Sequence, residues 1–222
     1  MRFLTFDEMA LTFAGRSVAI VGSAPTVLDN AHSFVDSHDV VVRVNNYRTS
    51  NAAGYRCDVF YSFFGHSIKK RREELIEDGV QLCMCKCPNS QPIKSAWHEK
   101  NKKMMGVDFR YIYQTRKPWW FCDTWIPDDA HFQQSFDLLG KHIPSTGFAC
   151  ILDVLKCKPS SVYLTGFDFF TSGLHNVNEK WKAGDPSDPI GHQPDLEREM
   201  VGMLMAGHPI HVDDALREMV KT

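Results

Sequence analysis

The sequence predicts an α/β fold: one domain on a mainly parallel central sheet flanked by helices, with an aromatic-rich loop insertion. Three observations predict it. Short apolar runs of strand character alternate with helix-favouring segments, the pattern of βαβ units. The first clear strand runs into a turn of small residues, the place where doubly wound sheets bind nucleotides. The 222 residues are 43% hydrophobic, enough to bury one core, so residues 1–222 are expected to form a single domain.

The elements follow in order. Ser17 to Val21 (SVAIV) is an apolar strand ending at Gly22. Val40 to Val44 is rich in β-branched residues, and Val59 to Phe63 is a third strand. Residues Ile68 to Asp78 are charged and favour helix, and Val80 to Cys85 returns to strand character. Lys86 to Asp129 has no clean period apart from a candidate strand at Phe109 to Tyr113. It is rich in Pro, Trp, Lys and Tyr, ends in KPWWFCDTWIPDD, and reads as an insertion or loop region lining a cleft, not as a separate domain. Its aromatic rings can stack on sugar faces or simply anchor a loop. Thr146 to Cys157 is an amphipathic helix with Phe148, Ile151, Leu152 and Leu155 on one face. Ser161 to Leu164 is a strand closed by Gly166. Pro194 to Ala206 is a helix, Pro209 to Val212 a strand, and Asp213 to Val220 a terminal helix with an acidic start.

Composition excludes several partners. Lys+Arg is 25 and Asp+Glu is 27, a formal net charge of −2, so no basic footprint for nucleic acid exists. The opening MRFLTFDEMALTFAG reads as an amphipathic segment, not a signal peptide, and no transmembrane segment of about 18 apolar residues occurs. A cytoplasmic protein is expected, or one peripheral to a membrane. Seven cysteines, an odd number, fit a reducing compartment. Cys83, Cys85 and Cys87 alternate and would share one face of a strand; buried free thiols account for them better than a metal site.

Four segments can carry chemistry. In VAIVGSAPT, residues 18–26, Gly22 and Ser23 let backbone N–H groups approach a phosphate or sugar. The turn is neither G-x-G-x-x-G nor a P-loop. In DSHDVVVRVNNYRT, residues 36–49, Asn45 ends a strand and can donate its amide to a phosphate oxygen, or build a turn with Asn46. Arg43 is expected to be a structural ion-pair partner rather than a ligand. In HIPSTGFACILDVLKCKPSSVYLTGFDFF, residues 142–170, Ser145, Thr146 and Gly147 gather hydroxyls and N–H groups at the positive end of a helix. Such a start binds a carboxylate, phosphate or ribose, or is an ordinary N-cap. In GHQPDLEREM, residues 191–200, His192 precedes a helix and can take a proton near neutral pH, with Glu197 supporting the segment. His175 is a second candidate, in a Gly- and Asn-containing loop.

Together, in this order, the segments resemble the sialyltransferase family. VAIVGSAPT with SHDVVVRVN resembles its large motif, PSTG with VYLTGFDF its small motif, LHNVNEKW its third, and His192-x₄-Glu197 its very small motif. The resemblance covers about a third of the chain directly. It implies a Rossmann-like, GT-A-like domain, a CMP-activated donor such as CMP-sialic acid, a glycan or glycolipid acceptor and inversion at the anomeric carbon. By it, Gly22, Ser23 and Asn45 lie near the donor's phosphate or cytidine. Ser145, Thr146 and Gly147 hold nucleotide and sugar carboxylate, His175 supports the departing phosphate, and His192 is the general base. No cofactor and no metal are expected, and the chain has no D-x-D triplet. Ser23 departs from the family's asparagine, and the large motif lacks the cysteine of secretory-pathway members; a soluble microbial or viral-type member fits. Three alternatives stay open: a CMP-Kdo or other CMP-ulosonic acid donor, a non-catalytic CMP- or glycan-binding protein, and a hydrolase with a metal among Asp128, Asp129, His131, His175, Asp185 and His192.

Overall fold

The computed structural model describes residues 1–29, 34–64, 68–88, 121–140, 142–171 and 192–221. Eight strands form one sheet: β1 (Phe3–Leu4), β2 (Ser17–Val21), β3 (Val40–Val44), β4 (Val59–Ser62), β5 (Leu82–Cys85), β6 (Asp123–Trp125), β7 (Ser161–Thr165) and β8 (Ile210–Val212). Their order is β1-β6-β5-β4-β3-β2-β7-β8, and every pairing is parallel. Six α-helices are described: α1 (Phe6–Ala10), α2 (Arg72–Glu77), α3 (Asp129–Leu138), α4 (Thr146–Lys156), α5 (Pro194–Gly207) and α6 (Asp214–Val220).

The central strands are continuous apolar runs because both faces are covered. Val18, Ile20, Val40, Val42, Val44, Tyr61 and Met84 face one layer with Phe148, Ile151 and Leu155 of α4. On the opposite face, Ala19, Val21 and Val41 meet Val27 and Val35, while Phe60, Cys83 and Cys85 meet Leu75 of α2. The period-2 alternation of strand side chains produces this division. Helix α4 is buried almost all round, not along a single stripe, because it lies at the centre of its layer.

Cys83, Cys85 and Cys87 share one cluster, as their alternation predicts, and none of the seven cysteines is in a disulfide. Burial raises the Cys87 thiol to about 11, so it packs as a small apolar group at neutral pH. Three elements escape sequence patterning. Strand β6 lies within the stretch read as insertion, and it is a sheet strand between β1 and β5. Its three residues, and the two of β1, are too few to show a period. Helix α3 buries only Phe132, Ser135 and Phe136, a pattern too sparse to stand out. The candidate strand at Phe109 to Tyr113 lies outside the described residues.

Candidate functional site

Strand order reverses at β2. The chain builds β3 to β6 on one side and returns to place β7 and β8 on the other. Such a reversal opens a crevice beyond the C-terminal ends of the strands. There, the Gly22 N–H donates to the Thr165 carbonyl at 2.8 Å and the Ala24 N–H to the Gly166 carbonyl at 3.0 Å. A Cβ at Gly22 would overlap the Gly166 carbonyl oxygen, and Gly166 has φ +72°, so both positions require glycine. Asp213 braces this junction, accepting from Thr165 Oγ1 at 2.7 Å. Ser23 follows half-buried at the lip.

Asn45 ends β3 in the left-handed region, φ 51°, a conformation asparagine tolerates well. It is 5% exposed. Its N–H donates to the Tyr61 carbonyl at 3.0 Å, and its Oδ1 accepts from Ser62 Oγ at 3.1 Å. With Oδ1 occupied, the side-chain NH₂ is the part left to face a ligand. Asn46 is a loop anchor, its Oδ1 accepting from the Lys69 N–H at 2.6 Å. Arg43 is fully buried and donates to the carbonyls of Arg56, Arg48 and Ala53, pinning the loop that follows Asn45. The structural expectation for Arg43 holds.

The start of α4 closes the crevice. Ser145 is its N-cap, accepting from the Phe148 N–H at 3.2 Å. Glu197, from α5, takes both remaining hydrogens of Ser145: the N–H at 2.6 Å on Oε1 and the hydroxyl at 2.6 Å on Oε2. Burial raises the Glu197 carboxyl to about 7, against the lowering effect of the Ser145 hydroxyl and amide and of Lys86. The N–H groups of Thr146 and Gly147 have no partner among the described residues, as expected at a helix start. A Cβ at Gly147 would lie 2.7 Å from Phe167 Cε1. Phe167 follows Gly166, so this contact joins the α4 start to the β2–β7 junction.

His192 stands beside the same helix start. Its Nδ1 lies 2.8 Å from the Ile143 carbonyl oxygen, and its ring stacks on Phe170 at 6.1 Å between centroids. A carbonyl can only accept, so Nδ1 carries the proton; in the neutral ring the lone pair is then on Nε2.

The predicted segments therefore converge. Gly22 and the α4 start with Ser145, Thr146 and Gly147 are joined through Phe167, His192 stands beside that start, and Ser23 adjoins Gly22; Asn45 is brought near Gly22 by the pairing of β2 with β3, and its own contacts are to β4. His175 and the third motif lie outside the described residues. Of the residues in the hydrolase alternative, His175 and Asp185 lie outside the described residues, Asp128 caps α3 by accepting from the His131 N–H, and His131 Nε2 lies 2.7 Å from Asp153. Among the described residues no group of three or more His, Cys, Asp or Glu is arranged to hold a metal, and no helix is long and apolar enough to cross a membrane. Sequence reasoning gave Glu197 only a supporting place and gave Lys86 none. The available signal for Lys86 was a charge directly after the buried strand β5.

No protein-family model and no curated protein matches the sequence. Solved structures do match the fold. The sialyltransferase CstII from Campylobacter jejuni, in complex with the substrate analogue CMP-3FNeuAc, is similar over 88% of this chain and 79% of that one, with TM-score 0.54 and 17% identity. A mammalian sialyltransferase is similar over 90% and 69%, with TM-score 0.57 and 18% identity. An alpha-2,3-sialyltransferase from Campylobacter jejuni in apo form covers 90% and 76%, with TM-score 0.56 and 13% identity. The α/β architecture with its parallel sheet is thus that of the sialyltransferase structures.

Proposed function

We propose that the protein is a glycosyltransferase of the sialyltransferase type, moving sialic acid from CMP-sialic acid to a glycan hydroxyl with inversion and without a metal. One observation carries the reading: the His192 Nδ1 lies against the Ile143 carbonyl, which fixes the Nδ1–H tautomer beside the N-terminus of α4, where Glu197 holds Ser145. The four motifs in order and the shared fold support it.

In this scheme His192 Nε2 takes the proton of the acceptor hydroxyl. The hydroxyl oxygen bonds to the anomeric carbon as the bond from that carbon to the phosphate oxygen breaks, and the electron pair leaves with CMP. The phosphate gains charge as it departs. The Asn45 side-chain NH₂, the Thr146 and Gly147 N–H groups and the positive end of α4 are suited to stabilise it, as preorganised donors do for other developing anions. His175 is proposed as a further partner of that phosphate. With Glu197 ionised, the Ser145 hydroxyl hydrogen is committed, so Ser145 holds the helix start and offers the ligand a lone pair.

The test is release of CMP from a panel of CMP-sialic acid and CMP-Kdo with glycan acceptors, in EDTA. Turnover by the wild type is expected to fall by about 10²–10⁴-fold in His192→Ala, with CMP affinity kept. Turnover by the variant at the wild-type rate removes His192 as the base. Dependence on Mg²⁺ or Mn²⁺ removes the metal-free scheme, and CMP binding without turnover on any acceptor marks a binding protein.

A further inference from the structure

Lys86 is 6% exposed and follows the last residue of β5. Side chains alternate along a strand, so Lys86 continues the face of Met84, which packs in the α4 layer, and not that of Cys85. Its backbone N–H donates to the Ser62 carbonyl at 3.0 Å, which places it beside the end of β4. Ser62 in turn donates to Asn45 at the end of β3. By the same alternation Ser62, next to Tyr61 of the α4 layer and in register with Cys85, turns to the opposite face, so Lys86 is joined to the ends of β4 and β3 through its backbone.

The ammonium of Lys86 has no hydrogen-bond acceptor and no ion-pair partner among the described residues. Its charge interacts with the Cys87 thiol and then with Glu197, whose two oxygens are both held by Ser145. Thr146, the first residue of α4 and 8% exposed, likewise has no side-chain partner among them. Thr26 Oγ1 is the one fully enclosed side-chain polar atom without a partner among the described residues, so the Lys86 ammonium and the Thr146 hydroxyl each keep an opening to solvent. A nearly buried cation with no direct hydrogen bond, and with Glu197 alone as a carboxylate neighbour, has room for a further anionic partner. Next to a helix start with unused N–H groups, the missing partner is an anion.

We propose that Lys86 forms an anion subsite on the floor of the crevice, receiving an oxyanion of the bound donor, either its phosphate or its sugar carboxylate. The inference rests on the CMP-sugar reading above and adds a specificity-determining residue to it. A phosphate and a carboxylate both suit an ammonium point charge.

The experiment compares wild type with Lys86→Met and Lys86→Gln, by calorimetry with cytidine, CMP and the non-transferable CMP-3FNeuAc, and by thermal unfolding without ligand. Both variants are expected to melt at or above the wild-type temperature and to bind cytidine unchanged. If the phosphate is the partner, CMP and CMP-3FNeuAc each weaken at least tenfold. If the carboxylate is the partner, CMP is unchanged and only CMP-3FNeuAc weakens tenfold. Affinities for all three within twofold of wild type overturn the subsite. So does lower melting with equal loss of all three, which marks a packing role. Should the wild type bind none of the three, the donor reading falls. The subsite is then decided with inorganic phosphate and pyruvate: it survives if either raises the wild-type melting temperature and not the variants', and fails otherwise.

Discussion

At the scale of single residues, Glu197 shows how a site can cost stability. Its carboxyl is 1% exposed and raised to about 7 from an ordinary 4.5, mainly by burial. Between these values the folded protein holds a proton that the unfolded chain has released, so this group's contribution to stability falls as pH rises. Below 4.5 both states are protonated and the effect is absent; above 7 it is complete, at about 3 kcal/mol. Glu197→Gln keeps an oxygen for the Ser145 N–H and removes the titration. Urea unfolding at pH 4.5 and 7.5 is expected to show the variant gaining about that much relative to wild type over the interval; equal pH dependence of the two proteins contradicts it. The proposed site residues stand where elements end. Asn45, Ser145 and His192 each stand beside a strand or helix boundary that the sequence marks. The bond between Ser145 and Glu197 spans 52 positions, and no local pattern encodes it.

At the scale of elements, apolar β-branched runs were readable, down to the three residues of β8, and elements without such a run, β1, β6 and α3, were not. Strands β2 and β3 are five residues each and mostly apolar, with Ser17 and Arg43 the exceptions, whereas β1 and β6 gain their strand character from each other and from β5. The amphipathic pattern located α4 but not what holds it. Asp153, on the buried side of that helix, accepts from Tyr61 of β4 at 2.7 Å and lies 2.7 Å from His131 of α3. Burial, and then the charge of Asp153, raise the Tyr61 phenol, which keeps it a donor. This carboxylate therefore joins three elements inside the core. Asp153→Ala leaves a buried hydroxyl without its acceptor and a cavity beside it, a loss of about 3 kcal/mol or more. Tyr61→Phe removes the donor alone and is expected to cost about 1 kcal/mol. Denaturant midpoints of the two variants test the order, and a Tyr61→Phe loss as large as that of Asp153→Ala rejects it.

For the molecule as a whole, the reversal of strand order puts the crevice where segments distant in sequence meet. Residues near 22, 45, 145 and 192 can share one ligand only because β7 returns beside β2. A ligand spanning that junction binds the folded state alone and must stabilise it, by about 2.7 kcal/mol at a hundredfold excess over its Kd. For a chain of this size that corresponds to roughly 5–10 °C in melting temperature. Asn45→Asp tests whether the charge of the ligand is met at the end of β3. Aspartate tolerates the left-handed backbone and still accepts from Ser62, so melting without ligand is expected to stay close to wild type. In place of an NH₂ donor, however, it presents a negative oxygen to a phosphate. CMP is therefore expected to raise the melting temperature of the wild type and not that of Asn45→Asp, while cytidine, which carries no phosphate, acts on both alike. A full CMP shift in the variant places the phosphate away from Asn45, and the crevice at the β2–β7 reversal then no longer accounts for nucleotide binding.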